Sequence, residues 1–268
     1  MNEKRRSGPR RADRFAERAA PVEEVEGQLE GRNAVAEALK SGRTIDKLFI
    51  AEGDTDQSLR RLAAQAREAG AVVVAVDRRK LNDMSATGAH QGVIALAAAH
   101  EYASVEDILE EAASRGEAPL IVICDELTDP HNLGAILRSA ECAGAHGVII
   151  PKRRSVGLTA TVGKASAGAV EYMKVARVTN VSAAIEELKK QGVWVFGTAA
   201  EGSVPMYQAD LTGPAAIVIG NEGDGISRLV AKNCDMMVNI PMRGRISSLN
   251  ASAAASILLY EAVRQRLG

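Results

Sequence analysis

The sequence predicts an α/β fold: a mostly parallel sheet with helices on both faces, preceded by a smaller α/β domain. Three observations carry this. Short continuous apolar runs alternate with segments of helical period, as in parallel sheets buried on both faces. Three glycine- and amide-rich stretches in the second half each follow such a run, where open α/β sheets bind ligands. The 268 residues are long for one ordinary domain and comfortable for two.

Residues 1–25 hold Lys4, Arg5, Arg6, Arg10, Arg11, Arg14 and Arg18 with almost nothing apolar, and are expected to form a disordered, solvated basic tail or a phosphate-gripping arm. Ala34, Val35, Ala38 and Leu39 share a helical face that stops at Ser41-Gly42, and Ile45–Ala51 reads as a strand. Leu59, Leu62, Ala63, Ala66 and Ala69 keep helical spacing until Gly70, a natural residue beyond a helix end. Ala71–Val76 reads as a buried β-branched strand and Val93–Ala98 as another. These elements make a small domain over residues 26–100.

Ser104 with Asp107 predicts a capping box for a helix to about Arg115, a linker over residues 101–118 that Gly116–Pro119 breaks. Residues 119–268 form the larger domain. Its strands are Leu120–Cys124, Gly147–Ile150, Val193–Gly197, Ala215–Ile219 and Met236–Ile240, with helices near 133–143, 181–191, 226–233 and 249–266.

A formal charge of −1 argues against coating nucleic acid by bulk electrostatics, so any such contact is local. Cys124, Cys142 and Cys234 form no CxxC pair, and the four histidines lack metal-ligand spacing with them, which argues against zinc and disulfides. Cys124 and Cys142 lie in apolar segments and are expected to be buried, in a reducing cytoplasm. No apolar stretch approaches the roughly 20 residues that cross a bilayer, and the start of the chain lacks a signal-peptide core. A soluble cytoplasmic protein follows.

In the first motif, Asp129-Pro-His-Asn-Leu-Gly-Ala-Ile-Leu-Arg138, Asn132 is expected to cap a helix over Leu133–Ala143. Arg138, six residues on, is expected to face the same rim and, beside Ile136, Leu137 and Ala140, to need a polar partner such as an RNA phosphate. In the second, Ile219-Gly-Asn-Glu-Gly-Asp-Gly225, Gly220, Gly223 and Gly225 bracket Asn221 and Glu222, letting backbone approach a ligand. The spacing is G-x-x-G-x-G after a late strand, not G-x-G-x-x-G after the first, which weighs against a dinucleotide oxidoreductase. In the third, Ile240-Pro-Met-Arg-Gly-Arg-Ile-Ser-Ser-Leu-Asn-Ala251, Ser248 and Asn250 open a small-residue helix, either as ordinary caps or as site residues. The small residues point to close packing within the fold or across a dimer.

These stretches, in this order, resemble the SpoU/TrmH family of S-adenosylmethionine-dependent RNA ribose 2′-O-methyltransferases. The likeness spans nearly all of residues 28–268. Gly31-Arg-Asn-Ala-Val-Ala-Glu-Ala-Leu39 through His90-Gln-Gly-Val93 is similar to the ribosomal-protein-like RNA-binding domain of the subgroup typified by the large-subunit ribosomal RNA guanosine 2′-O-methyltransferase. The resemblance implies a deep trefoil knot in the C-terminal domain, an exception to the usual rule, and a homodimer whose active sites draw on both chains. It implies cofactor contacts around Thr198, Gly220, Asn221, Gly223, Ile240, Met242 and Leu249, no metal, and catalytic or RNA-facing roles for Asn132, Arg138, Glu222, Ser248 and Asn250. Arg243 and Arg245 make the third loop more basic than is usual there.

The expected reaction is methyl transfer to a ribose 2′-hydroxyl of ribosomal RNA. A transfer RNA or adenosine-targeting enzyme and a catalytically idle ribosome-assembly factor are the alternatives. A free guanidinium keeps its proton above pH ~12, so Arg138 is expected to bind phosphate and stabilise a developing alkoxide while Asn132, Glu222, Ser248 and Asn250 orient the ribose. Arg43, Lys47, Arg78, Arg79 and Lys80 are either RNA contacts or solvated surface.

Overall fold

The computed structural model describes residues 27–53, 56–199, 203–221 and 223–268. The basic tail and Glu222 lie outside the described residues.

The first sheet is built from β1 (Gln28–Glu30), β2 (Ile45–Ala51), β3 (Val72–Val76) and β4 (Val93–Ala97), in the order β1-β4-β2-β3. β4 runs antiparallel to β1 and β2, and β2 pairs with β3 in parallel. The strand period of two sends Leu48, Ile50 and Val73 to one face, covered by α1 (Arg32–Lys40) and α2 (Gln57–Glu68). Phe49, Ala51, Val74 and Val76 go to the other, under Leu81 of α3 (Arg78–Met84).

Two of these elements escape the sequence reading. β1 has three residues, too few for a period, and is set by pairing with β4. Burial would raise the Glu30 carboxyl, yet hydrogen bonds from Ser85, Thr87, Gln28 and Ala86 hold it at about 2. Four of the seven residues of α3 are charged, with Leu81 its one fully buried residue. Asp77, which accepts from the Arg79 amide at 2.7 Å, was its only local signal. Arg78, Arg79 and Lys80 are exposed on it. β3, expected to be buried, is an edge strand in which only Val76 is buried.

The second sheet contains β5 (Leu120–Cys124), β6 (Gly147–Pro151), β7 (Val175–Val178), β8 (Trp194–Thr198), β9 (Val204–Pro205), β10 (Ala215–Ile219) and β11 (Met236–Asn239). Its order is β7-β6-β5-β10-β8-β11-β9, and every pairing is parallel. All residues of β5, β6 and β10 are buried, which is why they read as unbroken apolar runs. One face packs on α5 (Pro130–Cys142), α6 (Ala160–Ala165) and α9 (Ala251–Leu267) through Leu133, Ile136, Leu137, Val162, Leu258 and Leu259. The other packs on α4 (Val105–Arg115), α7 (Val181–Lys190) and α8 (Arg228–Asn233) through Ile108, Ile185, Leu188 and Val230. The capping box of Ser104 and Asp107 forms, and Gly116 ends α4 in the left-handed region. β7, interrupted by Arg177, and the six-residue α6 were not foreseen.

The chain steps outward from β5 to β6 and β7, crosses back to β8, and later inserts β10 between β5 and β8. The winding thus reverses at β5 and β10, and the carboxyl ends of β8, β10 and β11 open on one side.

The far end of α9 is tied to loops at the opposite, amino-terminal edge of the sheet. The Arg266 guanidinium donates to the carbonyls of Ala118 (2.8 Å), Pro119 (3.0 Å), Leu211 (3.1 Å) and Gly213 (2.7 Å). Gln265 donates to the Ala209 carbonyl and accepts from the Leu211 amide. Removing a charged donor from several carbonyls costs about 2–3 kcal/mol. Arg266→Ala is therefore expected to lose about that much stability in urea unfolding, and an unchanged midpoint would refute the clasp.

Candidate active site

The first motif meets the third through two helix starts. Asp129, not Asn132, caps α5: its carboxylate accepts from the His131 amide at 2.9 Å, with Pro130 at the first helical position. Proline at that position needs the cap immediately before it, which places Asn132 in the first turn, buried at 6 % exposure. There its Oδ1 accepts from Asn250 Nδ2 at 2.9 Å. Asn250 caps α9, its Oδ1 accepting from the amides of Ser252 (2.9 Å) and Ala253 (3.3 Å). Capping and a site role are therefore compatible: one oxygen serves the helix, and the amide nitrogen holds Asn132.

Arg138 does not share a rim with Asn132. Six residues turn a helix by about 600°, leaving the two side chains about 120° apart. Arg138 is exposed, and among the described residues it has no hydrogen bond or ion pair. Exposure to water also removes the partner that its apolar sequence neighbours seemed to demand.

The second motif closes on itself. Asn221 and Gly225 exchange backbone hydrogen bonds at 3.2 and 3.1 Å, and Asn221 Oδ1 accepts from the amides of Gly223 (2.9 Å) and Asp224 (2.7 Å). A Cβ on Gly220 would sit 2.0 Å from the Gly225 carbonyl carbon, so no other residue fits there. Asp125 anchors this loop from the neighbouring strand. Its amide donates to the Ile219 carbonyl at 2.8 Å, and its carboxylate accepts from the Ser227 amide at 2.7 Å. The sequence reading missed Asp125, although a carboxylate directly after five buried apolar residues is tolerated only with such partners.

The carboxyl ends of β8, β10 and β11 and the loop 240–250 enclose a cleft of about 730 Å³. Its walls include Thr198, Gly220, Asn221, Gly223, Ile240, Met242 and Leu249, all seven positions expected to meet a cofactor, together with Ser248. Thr198 Oγ1 donates to the Val218 carbonyl at 3.0 Å, tying β8 to β10 at the rim. Ile226, Met237 and Ala254 add apolar wall that sequence reasoning did not find, because the loop before α8, β11 and α9 bring it from separate segments. Asn132, Asn250 and Arg138 do not line the cleft.

The cysteines lie elsewhere. Burial pushes the Cys124 thiol up to about 12 and Cys234 to about 11, so neither is a nucleophile near neutrality. Cys142, expected to be buried, is exposed, because it ends α5 on the side away from the sheet. Among the described residues no cluster of three or more metal-ligating side chains occurs, and no helix is long and apolar enough to cross a membrane.

Residues 119–260 match the family model of the SpoU rRNA methylases, and residues 28–103 match that of RNA 2′-O ribose methyltransferase substrate binding. The Bacillus subtilis protein YacO, whose name places it in the TrmH family of tRNA/rRNA methyltransferases, is 48 % identical over 236 residues, 88 % of this chain and 94 % of that protein. Among solved structures, the SpoU methyltransferase AviRb from Streptomyces viridochromogenes in complex with AdoMet is similar at a TM-score of 0.58 and 27 % identity, covering 90 % of both chains. The AdoMet-bound rRNA methyltransferase from Sinorhizobium meliloti is similar at a TM-score of 0.55 and 28 % identity, covering 90 % of this chain and 88 % of that one. With its C-terminal sheet, its cleft and its N-terminal segment all matched in this way, the chain belongs to the SpoU/TrmH family of RNA 2′-O-ribose methyltransferases.

Proposed function

We propose that this protein transfers the methyl group of S-adenosylmethionine to a ribose 2′-hydroxyl of RNA, specifically to a guanosine of large-subunit ribosomal RNA, as a cytoplasmic homodimer. The observation that carries the reading is the meeting of the second and third motifs on one cleft at the point where the sheet reverses, with the first motif joined to the third by the hydrogen bond from Asn250 to Asn132.

The residues present fit the cofactor. A volume of about 730 Å³ lies within the range of small-molecule sites. Ile226, Ile240, Met242 and Leu249 offer apolar surface to a purine, beside the backbone of Gly220 and Asn221 in a turn so tight that a Cβ on Gly220 would meet the Gly225 carbonyl. When bound, S-adenosylmethionine supplies an electrophilic methyl group on a sulfonium. The protein's own work is alignment, since holding reacting atoms about 3–3.5 Å apart supplies much of the acceleration. Asn132, Ser248 and Asn250 orient the ribose, the first and last fixed by their mutual hydrogen bond. Glu222, outside the described residues, is assigned to the same task. Arg138 binds the target phosphate and stabilises charge developing on the ribose oxygen, because its guanidinium stays protonated.

A site shared between two subunits accounts for an exposed Arg138 that its own cleft does not use. Ile246, Ile257 and Tyr260 are exposed apolar side chains on the same C-terminal segment and give the partner a surface to cover. Residues 119–268 are the catalytic domain, residues 26–100 the RNA-binding domain and residues 101–118 the connection. A trefoil crossing is supported by the late insertion of β10 and by the clasp of the 209–213 segment on the end of α9.

Labelled methyl transfer to unmodified ribosomal RNA and to a transfer RNA pool, both transcribed in vitro, tests the reading. Incorporation into a 2′-O-methylguanosine of large-subunit RNA is expected, and incorporation into transfer RNA alone would reassign the acceptor. Arg138→Ala is expected to lower turnover at least a hundredfold with S-adenosylmethionine affinity intact by calorimetry; methylation within threefold of the parent would remove its role. Gly220→Ala, whose Cβ has no room, is expected to weaken S-adenosylmethionine at least tenfold, and unaltered affinity would detach the glycine loop from the cofactor. Coexpression of Arg138→Ala with Gly220→Ala, assayed at a cofactor concentration too low to saturate the latter, is expected to restore part of the activity through mixed dimers, and no gain over either variant alone would count against a shared site.

A further inference from the structure

A buried polar lock joins the two sheets far from the cleft. Asp46 stands on β2 of the first sheet, and Arg177 on β7, the edge strand of the second. Arg177 Nη1 lies 2.7 Å from Asp46 Oδ1, with the two side chains only 6 % and 8 % exposed. Its Nη2 donates to the Asp46 carbonyl at 2.9 Å and to the Lys152 carbonyl at 3.5 Å. Tyr102, from the segment between the sheets, donates to Asp46 Oδ1 at 2.9 Å and accepts from the Leu158 amide at 2.8 Å. Its ring centroid lies 5.4 Å from the guanidinium carbon. A Cβ on Gly157 would fall 2.3 Å from Asp46 Oδ2, so the loop after β6 is pressed onto the pair. Backbone bonds from Ala99 to Leu158 (2.9 Å) and from Ala103 to Val175 (2.8 Å) flank it.

Contacts between units within a chain are ordinarily polar, wet and permissive of motion. Here the contact is polar but buried. Burying an ion pair costs desolvation that only complete geometry returns, and replacing such a pair with apolar residues often leaves stability unchanged. Its distinctive property is direction: the planar guanidinium fork accepts one arrangement of its partners. Burial pushes the Asp46 carboxyl upward, opposed by Arg177 and the Tyr102 hydroxyl.

We propose that Arg177 is a positioning residue that, with Asp46 and Tyr102, fixes the angle between the RNA-binding part of the chain and the methyl-transfer cleft. The inference rests on the methyl-transfer reading above. β7 lies three strands from β10 and four from β8, so at about 4.8 Å per strand the lock sits roughly 14–19 Å from the cleft. A tilt of about 10° at that range moves a bound ribose by about 3 Å, where a displacement of about 1 Å already costs about a hundredfold. Free rotation at the junction would leave RNA bound and the hydroxyl out of line.

The test compares the parent with the double replacement Arg177→Met and Asp46→Leu, which keeps the junction packed, and with Arg177→Lys, which keeps charge without the fork. The expected result is a kcat on in vitro transcribed ribosomal RNA reduced at least tenfold in both, with RNA half-saturation and S-adenosylmethionine affinity within threefold of the parent and unchanged melting. Unaltered kcat overturns the proposal, and so does a parallel loss of cofactor affinity, which marks a merely structural role. Small-angle X-ray scattering reads the lock without RNA: the double variant is expected to expand, and superimposable profiles overturn it. If the parent itself methylates no RNA, the methyl-transfer reading fails instead, and the scattering comparison still decides whether the lock exists.

Discussion

β10 is buried on both faces and hydrogen-bonded on both edges, by β5 and β8, and the site depends on that confinement. A strand so held cannot shift its register without exposing an apolar face, so its carboxyl end delivers Gly220 to a fixed place. From there the Asn221–Gly225 turn is built, anchored by Asp125 from β5, with Thr198 holding β8 alongside. The cleft is the space that remains where the winding reverses and no helix covers the strand ends.

The second constraint is the meeting of two helix starts. α5 and α9 pack on the same face of the sheet, and the hydroxyls of Ser139 and Ser256 lie 2.7 Å apart between them. Small residues along α9 allow this approach. At the amino ends the same closeness brings Asn132 to Asn250, so side chains 118 positions apart become one polar unit. At the other end, Arg266 gathers carbonyls from two loops and keeps the helix from sliding. The site is thus held by packing at a distance as well as by its own hydrogen bonds.

Function in this family asks for two things from one chain, recognition of a large polynucleotide and alignment of a single hydroxyl. Recognition tolerates motion and alignment does not. A buried, fully partnered ion pair at the junction reconciles them: it is expensive to form, but once formed it leaves little angular freedom. Arg78, Arg79 and Lys80 on α3, by contrast, are exposed to solvent.

Local chemistry was enough to reveal the α/β class and most strands of the large sheet, because buried parallel strands are unbroken apolar runs, whereas the seven positions that line the cleft were pointed out by the family resemblance. The capping box of Ser104 and Asp107 was legible locally too, since both partners lie within one turn. β1, α3 and β7 were not, since a short or charged segment carries no period and is set by distant neighbours. Asn132 changed from cap to buried partner, Arg138 moved away from it to the surface, and Asp125 and Arg177 gained their meaning, only when separate strands came together. Sequence order records which residue types follow one another, whereas a site is defined by distances through space. Packing sets those distances, and it is a property of the whole chain.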